Sequence, residues 1–562
     1  MNRSLRKFTV LLVLASIAAG HALASPARKL TEEQRIIHVL NRLGFGARPG
    51  DVQRVKAMGL ENYINQQLAP EKIDDSVAEN KVKDLGVLNM TTAELYEKYP
   101  QPGRLLRKLQ ERGMLPNELA EAREKQKDPL QNENYRKVVD EYYRENGLQR
   151  PQRIMAELQA SRILRAVYSE RQLQEVMVDF WTNHFNVFSG KGADRWLLPA
   201  YDRDTIRPHA LAKFSTLLQA TAQSPAMLFY LDNFQSVSPN MNRPRARMQA
   251  NAPAQQPRRG INENYARELM ELHTLGVDGG YTQKDVQEVA RCFTGWTIFQ
   301  PRGGAAAVNA LRGEAARRAP GTFFFNPRTH DDGEKIVLGH KIPAGGGFND
   351  GLKVLDILAR HPSTAKFIAT KLVRHFVSDT PPPALVKRVA EVFTRSDGDI
   401  RETLKAIFFS SEFNSPEAYR AKVKRPFELV VSAIRTLGAD TNGGPGTHQW
   451  IARMGEPLYG FQTPNGYSDA AESWVNTGGL LERMNFGLAL AGNRVQGTKI
   501  DLTKVVRDNG DKSKLVDESL KTILAGEVSA STRETLLKQL DQNDPASKVV
   551  GLILGTPEFQ RQ

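Results

Sequence analysis

The sequence predicts a mainly α protein: a large multi-helix globular domain with a small β-hairpin and long irregular loops. Three observations predict it. Apolar residues recur at three- and four-residue steps through most of the 562-residue chain, as in Ile154, Leu158, Ile163, Leu164 and Val167. β-like runs are confined to two short pieces, residues 322–325 and 335–338, which flank a turn at His330, Asp331, Asp332 and Gly333 and read as the hairpin. Gly and Pro cluster between the periodic stretches, which marks loops.

Residues 1–24 read as a secretory signal peptide. Arg3, Arg6 and Lys7 form the charged start, residues 8–19 the apolar stretch, and Ala22-Leu23-Ala24 the small-residue cleavage site. The apolar stretch is short for a membrane span, and no later run is apolar enough for one. The expectation is an exported chain, periplasmic or extracellular. Removing those three cations takes the formal charge from +14 to +11. Such a charge suits a polysaccharide or another anionic surface. Nucleic acid is excluded as a partner by export, by the dispersed cations and by the lack of a binding motif. The single cysteine, Cys292, excludes an internal disulfide framework; beside Val289, Ala290 and Phe293 it reads as a buried, inert thiol.

Residues 25–150 read as an N-terminal helical region. Ile36, Val39, Leu40 and Leu43 share a face, Gly44-Phe45-Gly46 and Pro49-Gly50 mark turns, and Asp51 caps the next helix. From residue 73 onward the apolar spacing is thin, and charged, exposed helices are expected, as at 105–111 and 117–127. Residues 151–500 form the helical core. Its first part ends in MVDFWTNHFNV, where Asp179, Asn183 and His184 sit among Trp181 and Phe185. Buried polar groups in such a setting need partners. Two basic, irregular stretches, 237–259 and 300–320, read as mobile surface loops. Residues 397–399 form a turn that caps a later helix and lacks the remaining ligands of a calcium loop. The stretch MGEPLYGFQTPNGY, residues 454–467, is forced irregular by its Pro and Gly; it carries Tyr459 and Tyr467, with Trp474 soon after. Residues 501–562 read as a C-terminal helical tail.

Between the two loops lies GINENYARELMELHTLGVDGGYTQKDVQEVARCFTGWTIF, residues 260–299. Asn262 or Asn264 opens a first helix at 263–275, and Gly276 ends it in the left-handed position after the last turn. Thr282 caps a second helix that starts at Gln283. Glu268 and Glu271 are neighbours on one surface, and Arg267 is four residues from Glu271 and can pair with it. Two like charges this close require compensation by Arg267, by a metal ion or by a raised carboxyl pKa. Two readings stand: an ion-pair cluster that locks the helices, with His273 as a core histidine, or a metal or acid–base site. The spacing matches neither HExxH nor Glu-x-x-His.

The combined pattern FWTNHFNV, INENYARELMELHTLGVDGGYTQKDVQEVARCFTGW, THDDGEKIVLG, HPSTAKFIATKLVRHFVSD and EPLYGFQTPNGYSDAAESW resembles the bacterial domain-of-unknown-function 1800 family, from about His38 to nearly the end of the chain. The resemblance implies a largely helical, exported protein. It also implies a partner encoded by a neighbouring gene, an exported protein resembling alkaline phosphatases and sulfatases. It assigns no catalytic residues.

Three functions are consistent with these residues. The first is an envelope enzyme with Glu268, Glu271, His273 and His184 as catalytic groups. A divalent metal would draw its ligands from His184, Glu268, His273, His330 and Asp331, and Arg267, Asn183, Tyr459, Tyr467 and Trp474 would bind substrate. The second is a non-catalytic binding or assembly module that presents the aromatic loop to a glycan or a partner protein. The third is a purely structural envelope protein. No GxSxG elbow, Rossmann fingerprint or haem-attachment motif is present.

Overall fold

Helix boundaries follow from caps that the sequence spells out. In the computed structural model, which describes residues 29–113, 133–239, 260–300, 319–506, 511–541 and 544–562, helix α1 (Glu32–Arg42) opens on Thr31. The Thr31 hydroxyl accepts from the Gln34 N–H at 3.2 Å, and the Gln34 side chain accepts from the Thr31 N–H at 2.9 Å. This reciprocal pair satisfies two of the free donors of the first turn. The signal peptide at 1–24, the helix expected at 117–127, and most of the two expected loops (240–259 and 301–318) lie outside the described residues.

Two helices form the axis of the molecule. α2 (Gln152–Tyr168) and α3 (Gln172–His184) are buried over most of their circumference, charged residues included: Glu157, Arg162, Glu175 and Asp179 are all buried. A helix enclosed on most sides lies at the centre of a fold rather than on its surface. Further along come α4 (Asn264–Glu268), α5 (Gln283–Cys292), α6 (Phe348–Arg360), α7 (Pro362–Phe376), α8 (Pro383–Arg395), α9 (Pro426–Thr436), α10 (Thr477–Ala491), α11 (Lys512–Leu524) and α12 (Ala546–Leu554). One continuous apolar core extends from Ile36 in α1 to Phe559 beyond α12. Two smaller clusters seat the N-terminal region: one around Leu95, Tyr99 and Trp196, the other around Leu105, Leu109 and Tyr142.

The fold is mainly α, with three two-stranded antiparallel sheets among the described residues. The strand pieces expected to form one hairpin do not pair with each other. β1 (Trp296–Phe299) pairs with β2 (Thr322–Phe325), with Trp296 opposite Phe325. β3 (Lys335–Val337) turns back at once onto β4 (His340–Ile342), with Val337 opposite His340. The reason is the turn. Leu338 and Gly339 both have positive φ, 49° and 80°, which is the twist a two-residue hairpin needs. Leucine is not a residue that signals such a turn, so the sequence concealed it. β5 (Asp440–Thr441) and β6 (Thr498–Lys499) form the third pair. No helix among the described residues is long and apolar enough to cross a membrane.

The C-terminal residues are tied into the core. α12 lies against α10 where glycines face each other: a Cβ on Gly551 would sit 2.8 Å from the Leu488 Cα. The last residues pair with the strand-like approach to α9, Lys422 N–H donating to the Gln562 carbonyl at 3.2 Å and Gln562 N–H back to Lys422 at 2.9 Å.

Candidate functional site

Helix α4 runs without a break into a wider, π-helical turn, Leu269–Thr274. The continuous α-helix expected at 263–275 is thereby corrected. The Leu275 N–H reaches back to the Met270 carbonyl at 2.8 Å, and the Thr274 hydroxyl donates to Leu269 at 2.7 Å. A second π-helical turn, Tyr201–Ile206, carries Asp202. Such turns are rare and cluster at functional sites. The wider turn changes which side chains meet. Arg267 pairs with Glu263 at 3.3 Å and with Gln283 at 2.9 Å, not with Glu271 as its spacing suggested. Glu271 instead accepts from the Tyr281 hydroxyl at 3.0 Å. The remaining caps follow the sequence: Thr282 and Asp285 form a reciprocal capping pair, and Gly276 has φ +82°.

Glu268 is half-buried and makes no ion pair or hydrogen bond within the described residues. Burial raises its carboxyl pKa, Glu271 raises it further, and Arg267 opposes them. Tyr230 lies within its electrostatic reach; that phenol is raised by burial, then by Asp194 and Glu268. Tyr230 donates to the Gln462 carbonyl at 2.8 Å, and so touches the irregular 454–467 loop. Lys191 pairs with Asp232 at 2.7 Å and donates to the Tyr230 carbonyl. Asp232 is held at φ +61°, a conformation that Asp tolerates better than most residues. Asn262 and Asn264 donate to the carbonyls of Asp232 and Leu231 at 3.2 and 3.4 Å. Asp194, at the start of a short helix, is fully buried, and neither of its oxygens has a hydrogen-bond partner. Burial drives its pKa well above the ordinary carboxyl value; Lys191 pulls it down and Asp232 pushes it up.

His184 and His273 are brought together but sealed. The His184 Nε2–H donates to the His273 carbonyl at 3.1 Å, and the ring centres are 6.2 Å apart. Both residues are buried among Phe180, Trp181, Phe185 and Phe367. Burial, then Lys371, pushes His273 down to about 3 and His184 well below its ordinary value. Two neutral rings with no path to solvent are core residues, so the acid–base role expected of them does not fit this geometry. His330 and Asp331 belong to a different cluster. His330 bonds to the Thr294 carbonyl at 2.7 Å and to Asp350 at 3.1 Å, while Asp331 is held by Arg291 at 3.0 Å. The five candidate metal ligands, His184, Glu268, His273, His330 and Asp331, are therefore divided: His184 and His273 meet in the aromatic core, His330 and Asp331 sit with Thr294, Asp350 and Arg291, and Glu268 has no partner among the described residues. Among the described residues no group of three or more His, Cys, Asp or Glu is gathered to hold a metal ion.

The residues expected to bind substrate act mainly as fasteners. Asn183 exchanges two hydrogen bonds with the Tyr467 backbone, 2.8 and 2.7 Å. Its neighbour Asn186 donates to the Phe461 and Thr463 carbonyls at 3.0 and 2.8 Å. Tyr459 is buried and donates to Asp202 at 2.9 Å; Trp474 is buried and donates to the Ser468 carbonyl at 2.9 Å; Tyr467 donates to the Pro457 carbonyl at 2.8 Å. The Tyr459 tip reaches a core carboxylate, while Tyr467 and Trp474 bond back to carbonyls of their own irregular stretch. The Tyr459 and Trp474 faces are not available to stack on a sugar.

Sequence reasoning passed over Lys191, Asp194, Tyr230, Asp232 and Asn186. The segments SGKGAD and FYLDN are legible as turns, but nothing local says that they meet each other at the start of α4. The family model described as "Protein of unknown function (DUF1800)" matches residues 38–561. No curated protein and no solved structure matches the chain.

Proposed function

The chain belongs to the DUF1800 family, and from that premise we propose an exported envelope enzyme whose working group is the Glu268 carboxyl. The observation that carries this reading is an unpaired, half-buried carboxyl with a raised pKa, on the last residue of α4 where the helix opens into a π-helical turn, in a molecule that pairs most of its buried charges. A carboxyl so tuned gives and takes protons closer to neutrality than a free glutamate does. Glu271 keeps it raised, and Tyr230, whose phenol Glu268 raises in turn, lies within its reach as a polar group for a substrate. The reaction class is general acid–base chemistry on a polar envelope substrate, with an anionic polysaccharide suited to the basic chain. The candidate ligands do not form a set that fits a divalent metal, and no step is routed through one. Export rests on residues 1–24, and the exported neighbour-gene product is the partner to test by pull-down.

Turnover of isolated envelope polysaccharide by wild type and Glu268→Gln tests the proposal. The expected result is loss of about two or more orders of magnitude in the variant, with thermal stability at neutral pH equal to wild type or higher. Full turnover by a folded Glu268→Gln protein would end it.

A further inference from the structure

On the far side of α9 a polar cleft of about 560 Å³ is lined by Asn41, Arg48, Arg420, Lys424, Ser432 and Lys521, among others. It opens between α1, the turn that follows α1, α11 and the chain's C-terminal residues. Lys424 forms part of its floor. The backbone there is fixed by the C-terminus, Lys424 N–H donating to the Gln560 carbonyl at 2.9 Å. The side chain is only 4% exposed. Its ammonium donates to the Ser432 hydroxyl and to the Phe559 carbonyl, both at 2.9 Å, and lies 4.2 Å from the centre of the Phe559 ring.

Those partners are neutral. An ammonium has three N–H donors, two are used, and no carboxylate among the described residues lies within ion-pair distance of Lys424. The charged groups that face it do not compensate. Arg420 and Arg483 are cations; of the anions, Glu428 acts on Lys424 but accepts from the Arg425 N–H at 2.7 Å, Glu527 pairs with Arg420 at 3.2 Å, and Glu33 and Glu558 line the cleft without pairing with Lys424. Arg483 itself donates to Gln560 Oε1 at 2.8 Å and to the Lys424 carbonyl at 2.9 Å, which are again neutral acceptors. One turn along α9 from Ser432, Arg435 donates to the Gly46 and Val167 carbonyls at 2.9 and 2.6 Å. Burial lowers all three: Lys424 to about 7, Arg483 to about 10 and Arg435 to about 10. Arg420 and Arg435 have carboxylates at 3.2 and 3.6 Å, from Glu527 and Asp51, whereas Lys424 and Arg483 have none within ion-pair distance among the described residues.

We propose that the cleft binds a small ligand bearing an oxyanion, seated on the Lys424 ammonium and the Ser432 hydroxyl with Lys521 at the mouth. The Ser432 oxygen accepts from Lys424, so its O–H is left to donate to the ligand. Lys521 is exposed on α11 and has no ion pair among the described residues. Gly46 packs closely beside Ser432, where a Cβ would sit 2.9 Å from the hydroxyl oxygen. The source of the oxyanion is either a free small molecule or an anionic lipid headgroup.

Calorimetric titration of the full chain with sulfate, at ionic strength matched with chloride, tests this. Sulfate stays doubly charged across the pH range, so any pH dependence belongs to the protein. Affinity should fall about tenfold from about pH 6 to about pH 8, as Lys424 loses its proton. It should also fall about tenfold in Lys424→Met, and measurably in Lys521→Glu, an exposed substitution that leaves the fold intact. Phosphatidylglycerol vesicles that displace sulfate identify a headgroup as the source; failure to displace it identifies a free oxyanion. Sulfate binding no stronger than chloride binding at about pH 6, or equal in wild type and both variants, overturns the proposal.

Discussion

Asp194 carries a carboxyl that the fold buries without a single hydrogen bond, between Lys191 and Asp232. Its folded pKa is raised, so the folded state holds a proton that the unfolded state releases. Stability is therefore fully present below the ordinary Asp value and is lost as pH rises from that value toward the folded one. Asp194→Asn removes the titration. Urea unfolding at a series of pH values should show the wild type weakening with rising pH in that window, and the variant should show a flatter profile with higher stability at neutral pH. Glu268 has the same sign for the same reason, burial, with Glu271 as the second cause. At this scale the sequence was only partly legible. Cys292 is buried as its neighbours imply, and burial pushes its thiol up to about 12. Asp194 could not be read, because its burial comes from helices distant in sequence.

Among the elements, caps and left-handed glycines were the legible part. Thr282 and Asp399 cap their helices and Gly276 ends its own, whereas Asp51, expected as a cap, lies inside its helix behind Gly50. These are interactions within a few residues, which the chain carries wherever it goes. The π-helical turn Leu269–Thr274 was not legible, because apolar spacing at three and four residues is common to both helix types over so short a run. Close packing of α10 on α12 was equally hidden. There Gly551→Ala would place a methyl 2.8 Å from the Leu488 Cα, where backbone cannot yield. Alanine favours a helix by about 1 kcal/mol over glycine, yet the overlap should dominate and cost about 1–3 kcal/mol net. Chemical denaturation of the variant measures it, and an unchanged midpoint would mean that the two helices separate freely.

Taken as a whole, the molecule is held by a buried charge network as well as by its apolar core. Arg162 pairs with Asp179 at 2.8 Å and with Asp202 at 3.4 Å, and Arg425 bridges Asp179 and Glu456, the latter at 2.7 Å. The network joins α2, α3, the π-helical turn at Tyr201–Ile206, the approach to α9 and the irregular loop. Breaking such a network at one member strands its partners as uncompensated charges. Arg425→Met should cost about 3–5 kcal/mol in unfolding free energy, far more than substitution of an exposed arginine such as Arg388, whose pair with Glu412 is solvated. Comparable losses for the two would show that the buried network is not a special support.

What the sequence determined by itself was the class of fold and its punctuation. Helical periodicity, capping residues, glycine stops and the long family motifs are local, and local patterns survive translation into structure. What only tertiary structure decided was which polar group met which. It set His184 against the His273 carbonyl, turned Tyr459 onto Asp202, divided His330 and Asp331 from the Glu268 turn, and left Asp194 and Lys424 without counter-charges. A side chain's type fixes what partner it requires. Only packing among segments far apart in the chain fixes whether that partner arrives, and the groups for which it does not are where ligands and chemistry find a place.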